Sequence, residues 1–362
     1  MRVLYDGWDV AYAPNSPASL HLFDLLSQRP AGIESLVALP AAGGGAGWLP
    51  EGVEVEVFPL ENTTANRLRW EQRILPRLAR AHAADLLHLM SASPALFGAP
   101  PTVISPTSFT GEPPVPRLGA TARLRLALAR GAHGPRQLVL WPDDLALPHM
   151  LGRVEPLPPL VPPDFNPSEA PLREHLRRLG LPASYVLYHG PKEALTLRWL
   201  LSAWSWVISA LGDQIPLVLL GCTPQDVADL MPQLRGLRLG KSIYPLPPQR
   251  PDVVASLYRG SAAVFHPLGS VPWGGALRYA LACAKPIVAL ETSISDALTG
   301  PAAYLVKERD TRLLGAALLT VLVEDEVAAS LREAALERIR AWTWGDFGAA
   351  LEDAYRKVLR AP

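Results

Sequence analysis

A chain of 362 residues has room for two domains that each bury a core, which excludes a single small module. Its 34 cationic and 34 anionic side chains cancel, and only 19% of residues are charged, so no broad basic field for nucleic acid is expected. Cys222 and Cys283 lie in apolar stretches and suit a reducing compartment, while Asp6 and Asp9 interrupt the start where a secretory leader needs an unbroken apolar run. No run of about 18 uncharged apolar residues occurs, so the expectation is a cytoplasmic protein, at most peripheral to a membrane.

Taken in chain order, short β-rich runs alternate with amphipathic helical ones. Val3 to Tyr5, Ser35 to Leu39, Val53 to Phe58, Leu86 to Leu89, Thr102 to Ser105 and Gln137 to Trp141 read as strands. Ser16-Pro17 offers an N-cap with proline at the first helical position, and Leu20, Phe23 and Leu26 are spaced for a helix stripe. Gly43-Gly44-Gly45 follows a strand but leads into Trp48-Leu49-Pro50 and another strand, so it reads as a flexible loop and not a phosphate cradle. A proline-heavy connector over residues 156–171 reads as an interdomain linker, because proline stiffens a chain and is kept out of central strands. Beyond it, Tyr185 to Tyr188, Pro216 to Leu220, Ala263 to His266, Pro286 to Leu290 and Ala303 to Val306 read as strands, with a helix over Leu195 to Leu211. Alternating βα units of this kind predict an α/β fold with parallel sheets. The tail has helical periodicity broken at Thr343-Trp344-Gly345-Asp346.

The stretch Leu257 to Val306 carries a resemblance. Ala262, Ala263, Val264, Phe265, Pro267, Gly274, Ala280, Ala282, Cys283, Pro286, Ile287 and Val288 fall in register with the donor-binding half of the retaining glycosyltransferases of family 4, the glycosyl transferases group 1. The tail also resembles that family's ending. The resemblance implies GT-B architecture, two Rossmann-like domains facing each other across a cleft. The expected boundaries are an acceptor-side domain over 1–160, a donor domain over 161–342, and a helix over 343–362 crossing back to the first domain.

What the resemblance implies for chemistry is transfer of a sugar from a nucleotide diphosphate sugar, with retention, needing no metal and no other cofactor. The donor contacts would be His189, Gly190 and Lys192 after one strand, and Ser270, Trp273, Gly274, Gly275, Arg278 and Tyr279 around the helix that follows Phe265. Lys192 would stand in for the family's phosphate-binding lysine, whose position falls on Leu195; Arg278 reads equally as a surface residue. Several family features are altered together. The two motif glutamates are replaced by Val271 and Tyr279, and a phenol does not accept from a ribose diol as a carboxylate does. Ala13 to Ala18 replaces a glycine turn, its prolines removing amide donors, and the donor-capping histidine is absent near Pro106-Thr107. Strand-end His88, His189 and His266 read first as packing residues. The alternative is therefore a catalytically inactive GT-B homologue acting as partner or scaffold beside an active glycosyltransferase. The implied acceptor is a glycan or a lipid-linked molecule, with room for peripheral membrane association and none for nucleic acid. No G-x-S-x-G, Walker lysine loop or zinc-type spacing offers a competing chemistry.

Overall fold

A computed structural model describes residues 1–40, 49–90, 94–95, 98, 100–107, 136–146, 153–168, 173–269, 271–342 and 346–361. The glycine run at 43–45, Ser270 and Thr343-Trp344-Gly345 therefore lie outside the described residues. The chain divides into two compact units, one of residues 1–160, 271–274 and 343–362, the other of 161–270 and 275–342. Val271 to Gly274, expected within the second domain, pack with the first.

The first unit is built on a seven-stranded sheet in the order β3-β2-β1-β4-β5-β6-β7, all neighbours parallel. Its strands are β1 (Arg2–Asp6), β2 (Glu34–Leu39), β3 (Glu54–Val57), β4 (Leu86–Leu89), β5 (Thr102–Ile104), β6 (Gln137–Pro142) and β7 (Val154–Leu157). The second unit has a six-stranded parallel sheet in the order β10-β9-β8-β11-β12-β13. These strands are β8 (Val186–Tyr188), β9 (Leu217–Leu220), β10 (Ile243–Leu246), β11 (Ala263–His266), β12 (Ile287–Leu290) and β13 (Ala303–Val306). β7 and β10 were not expected from sequence. Each carries an internal proline, Pro156 or Pro245, which argues against a central strand but is tolerated at the sheet edge, where both are found.

Helices α1 (Trp8–Tyr12) and α2 (Pro17–Ser27) follow β1. Ser16 caps α2 by accepting from the Ser19 amide at 3.2 Å, with Pro17 at the first helical position as its sequence suggests. The expected stripe is displaced: Leu20 and Phe23 are only half-buried, while Ala18, Leu22, Leu25 and Leu26 enter the core. Next come α3 (Thr64–Arg69), a π-helical turn over Trp70–Ile74, and α4 (Leu75–Ala81). Pro76 has no N–H for the carbonyl four residues back, and the widened turn absorbs that missing bond. In the second unit α5 (Arg173–Arg178) precedes β8, α6 (Ala194–Leu211) follows it, and α7 (Pro224–Leu237) and α8 (Pro251–Gly260) follow β9 and β10. α9 (Ala276–Ala282), α10 (Ser293–Thr299), α11 (Thr311–Val323) and α12 (Asp325–Ala341) complete that unit, and α13 (Phe347–Leu359) belongs to the first.

Three helices end in left-handed residues that are not glycine. Ala83, Arg238 and Ala284 have φ of 50°, 57° and 50°. The amides of Ala84, Leu239 and Lys285 reach back to Ala79, Leu234 and Ala280 at 2.8, 2.9 and 2.9 Å, the six-to-one bond of a Schellman cap. At Ala284 the left-handed φ is one that glycine adopts without strain.

Candidate functional site

In an open parallel sheet, ligands meet the carboxyl ends of the strands where the strand order reverses. In the second unit that point lies between β8 and β11. The turn after β8 runs Tyr188-His189-Gly190-Pro191-Lys192 before α6 begins at Ala194. It is folded tightly on itself: the Tyr188 hydroxyl donates to the Pro191 carbonyl. A Cβ on Gly190 would stand 3.1 Å from that hydroxyl, so any larger residue there would press on the Tyr188 ring. Lys192 is half-buried and its Nζ donates to the Gly190 carbonyl at 3.0 Å. Burial lowers its pKa, opposed by Cys222 from the turn after β9, by Asp226 in the first turn of α7 and by Glu193. Burial likewise pushes the Cys222 thiol up to about 11, so it stays protonated at neutral pH. Leu195, at the position of the family's lysine, is 65% exposed in the first turn of α6.

His189 is buried, and its Nδ1 lies 3.1 Å from the Tyr258 hydroxyl. Burial first, then the charges of Lys192 and His266, depress its pKa to about 3, so the ring is neutral and suited to packing and hydrogen bonding. His266 ends β11 across the switch point, its pKa held near 4 by burial. Tyr279, where a ribose-binding carboxylate would sit, is 3% exposed and stacks on Phe165 with ring centres 4.1 Å apart. Tyr258 meets Tyr279 edge-on at 5.7 Å, and His189 lies roughly parallel to it at 6.3 Å. Four rings from distant segments thus form one aromatic box. Phe165 and Tyr258 were not singled out from sequence; neither belongs to a motif, and only the fold brings them to Tyr279.

Around α9 the expected site residues separate. Gly275 is the N-cap of α9 with φ of 71°, and Arg278 on the same helix is buried at 3%, which removes its reading as a surface residue. Trp273 and Gly274 belong to the first unit. The Trp273 indole is 1% exposed, donates its N–H to the Leu140 carbonyl at 3.0 Å, and stacks on His21 at 4.9 Å. Its polar atom is spent inside that core, so the expected place lining a sugar is replaced by a packing role. Gly274 has φ of 92°, and a Cβ there would fall 2.2 Å from the Pro17 carbonyl oxygen. Its glycine serves backbone contact with the start of α2.

In the first unit the switch point lies between β1 and β4. His88 in β4 is fully buried, with Nδ1 2.7 Å from the Tyr355 hydroxyl and Nε2 2.8 Å from Ser105 Oγ. Both ring nitrogens are engaged and burial takes its pKa to about 3, so it is a packing histidine that ties α13 to the sheet. Thr107, near where the family histidine would stand, donates to the Met90 carbonyl at 2.6 Å. The larger surprise is Asp6 at the end of β1. Arg67 reaches Asp6 Oδ2 and Asp9 Oδ2 at 3.1 Å each and Glu71 Oε1 at 2.8 Å, while Trp70 Nε1 donates to Asp6 Oδ1 at 2.8 Å. Arg67 and Glu71 are i,i+4 neighbours in the chain, but the two aspartate partners come from another segment.

Residues 184–324 match the model of the family described as glycosyl transferases group 1. The matched segment contains the β8 turn, the aromatic residues Tyr258 and Tyr279, and all of α9. This segment is similar to the group 1 glycosyltransferases. A D-inositol 3-phosphate glycosyltransferase from Saccharomonospora viridis is 31% identical over 121 residues, which is 32% of this chain and 27% of that protein. The chain therefore matches about a quarter of the length of that curated relative. Whole-chain likeness is to GT-B glycosyltransferase structures. WaaG, a glycosyltransferase involved in lipopolysaccharide biosynthesis, superposes with a TM-score of 0.71 at 16% identity, covering 97% of this chain and 98% of that one. Sucrose-phosphate synthase from Thermosynechococcus elongatus gives 0.70 at 16% identity over 100% of both chains. HepE from Anabaena, in complex with UDP and glucose, gives 0.66 at 18% identity over 98% and 99%. At these identities the likeness establishes the GT-B fold, and the group 1 match places the family signature in the second unit.

Proposed function

We propose that this chain is a glycosyltransferase that takes its sugar from a nucleoside diphosphate donor bound at the β8 turn of the second unit. One observation carries the reading: Lys192, inside the group 1 segment, holds a half-buried ammonium whose hydrogen bond goes to a carbonyl and not to a carboxylate. A cation drawn out of water in this way gains from a doubly charged diphosphate, and a buried charge-assisted bond of that kind is strong. The complexes of HepE with UDP and UDP-glucose support a donor of this class for the fold. In this reading Lys192 stabilises the departing diphosphate without a metal, and the anomeric configuration is retained.

A second reading has its own observation. Tyr279, at the position of the family's carboxylate, is locked between Phe165 and the His189–Tyr258 pair. Under it the chain is an inactive homologue that works beside an active transferase. Titration of the protein with UDP, GDP and their sugar conjugates, followed by thermal unfolding and by release of free nucleotide, separates the two. Saturable stabilisation with turnover supports transfer; stabilisation with no turnover and no hydrolysis supports the inactive homologue. A folded protein unmoved by millimolar nucleotide overturns the donor site itself.

A further inference from the structure

α6 and α11 lie side by side in the second unit. A Cβ on Gly315 of α11 would stand 2.7 Å from both the Ala203 carbonyl oxygen and Trp206 Cβ of α6, so the two backbones meet at that glycine. The inward faces fill the core beside the sheet, with Leu200, Leu201 and Trp204 from one helix and Leu314 and Leu318 from the other all fully buried. A helix on the surface of a soluble domain normally turns charged residues outward. Here the outward side shows Trp206 at 49%, Leu313 at 46% and Val323 at 54% exposure. The only charged side chains in either helix are two cations, Arg198 and Arg312. The acids stand at the ends: Glu193 precedes α6 and Asp213 follows it, Glu324 follows α11, and Asp310 is occupied in capping the amides of Arg312 and Leu313. Arg312 lies with its guanidinium 5.8 Å from the Trp206 ring centre. Ala194–Gln214 is long and apolar enough, by length and composition, to cross a membrane. Its inward residues complete the core of the unit, however, so the helix cannot leave without unfolding it.

We propose that this face seats the second unit on an anionic lipid bilayer, lying in the interface plane and not spanning it. Trp206 and Leu313 enter the boundary between headgroups and acyl chains, where an indole places its ring in apolar surroundings and its N–H near water. Arg198 and Arg312 carry the complementary charge to lipid phosphates, with no acid between them on the face to repel the surface. This inference is independent of the donor reading, since none of its residues lines the β8 turn.

The test is co-sedimentation of the full chain with vesicles of phosphatidylcholine alone or with one third phosphatidylglycerol. Binding is expected at least about tenfold tighter to the anionic vesicles and weakened by added salt. Arg198→Gln with Arg312→Gln should lower affinity for anionic vesicles by about 25-fold, taking about fivefold for each cation removed, and leave neutral vesicles unchanged. Trp206→Ser with Leu313→Ser should lower binding to both by at least about tenfold. These positions are exposed, and circular dichroism confirms folding; should a variant unfold, the salt dependence of the parent protein still decides. No vesicle binding, equal binding to neutral and anionic vesicles, or binding that survives the Trp206→Ser, Leu313→Ser change overturns the proposal. Equally, a dimer in sedimentation velocity that this same double variant dissolves assigns the face to a second copy of the chain and overturns it.

Discussion

Arg67→Met removes the one cation from a cluster of three carboxylates in the first unit. Arg67 and the side chains of Asp6 and Glu71 are almost wholly out of water, at 7%, 0% and 0% exposure, whereas Asp9 keeps 30% and contributes little. The loss is therefore set by two buried carboxylates left without their partner. Breaking a buried pair in this way costs about 3–5 kcal/mol at neutral pH. For a unit of this size each kcal/mol moves the midpoint by about 2–4 °C, so a fall of about 6–20 °C is expected. The deficit should also depend on pH, and its sign follows from Asp6. Burial raises the Asp6 pKa above its ordinary 3.8 even against the attraction of Arg67. Without Arg67 it rises further. A carboxyl with a folded pKa above its unfolded one stabilises the fold most below the unfolded value, and that contribution is lost as pH rises through the folded value. Arg67→Met should thus be closest to the parent at pH 5 and furthest from it at pH 8. Urea unfolding of both proteins across that range measures the difference. A deficit under about 1 kcal/mol, or one that does not change between pH 5 and pH 8, would refute the account of the cluster.

Lys192→Ala should weaken UDP binding by about tenfold or more while leaving the ligand-free midpoint nearly unchanged, as calorimetric titration will show; an unaltered affinity assigns the diphosphate elsewhere. Ala284→Gly relieves a left-handed alanine in its Schellman cap and should stabilise the second unit by about 1 kcal/mol, read from denaturant midpoints. Gly274→Ala combines a positive φ with a clash against the Pro17 backbone and should cost about 2–4 kcal/mol; a neutral result would mean that this segment does not press on α2.

Much of the site was legible in part. The turn Tyr188 to Lys192 could be found because a strand, a glycine and a cation before a long apolar helix are all local signals. Trp273 could not be placed the same way. Its neighbours in sequence suggest a donor helix, yet its indole is buried against His21 and Leu140, which lie far away in the chain. The aromatic box has the same character: Tyr279 was noticed as a lost carboxylate, but what fills the space beside it, Phe165 and Tyr258, follows no periodicity. α2 shows how a correct helix can hide an incorrect face. Ser16 and Pro17 mark its start, but helical spacing alone did not identify which side enters the core.

The sequence by itself determined the alternation of strands and helices, the parallel sheets and the register of the group 1 segment, because apolar runs, caps and turn residues act over a few positions. Edge strands with internal prolines lay beyond it, since a proline is acceptable only where a neighbour on one side is missing. Tertiary structure alone decided which charges share a buried cluster, which aromatic rings close over Tyr279, and which apolar side chains on α6 and α11 remain in water. Those outcomes depend on desolvation and close packing between segments remote along the chain, and neither quantity exists until the sheets have formed.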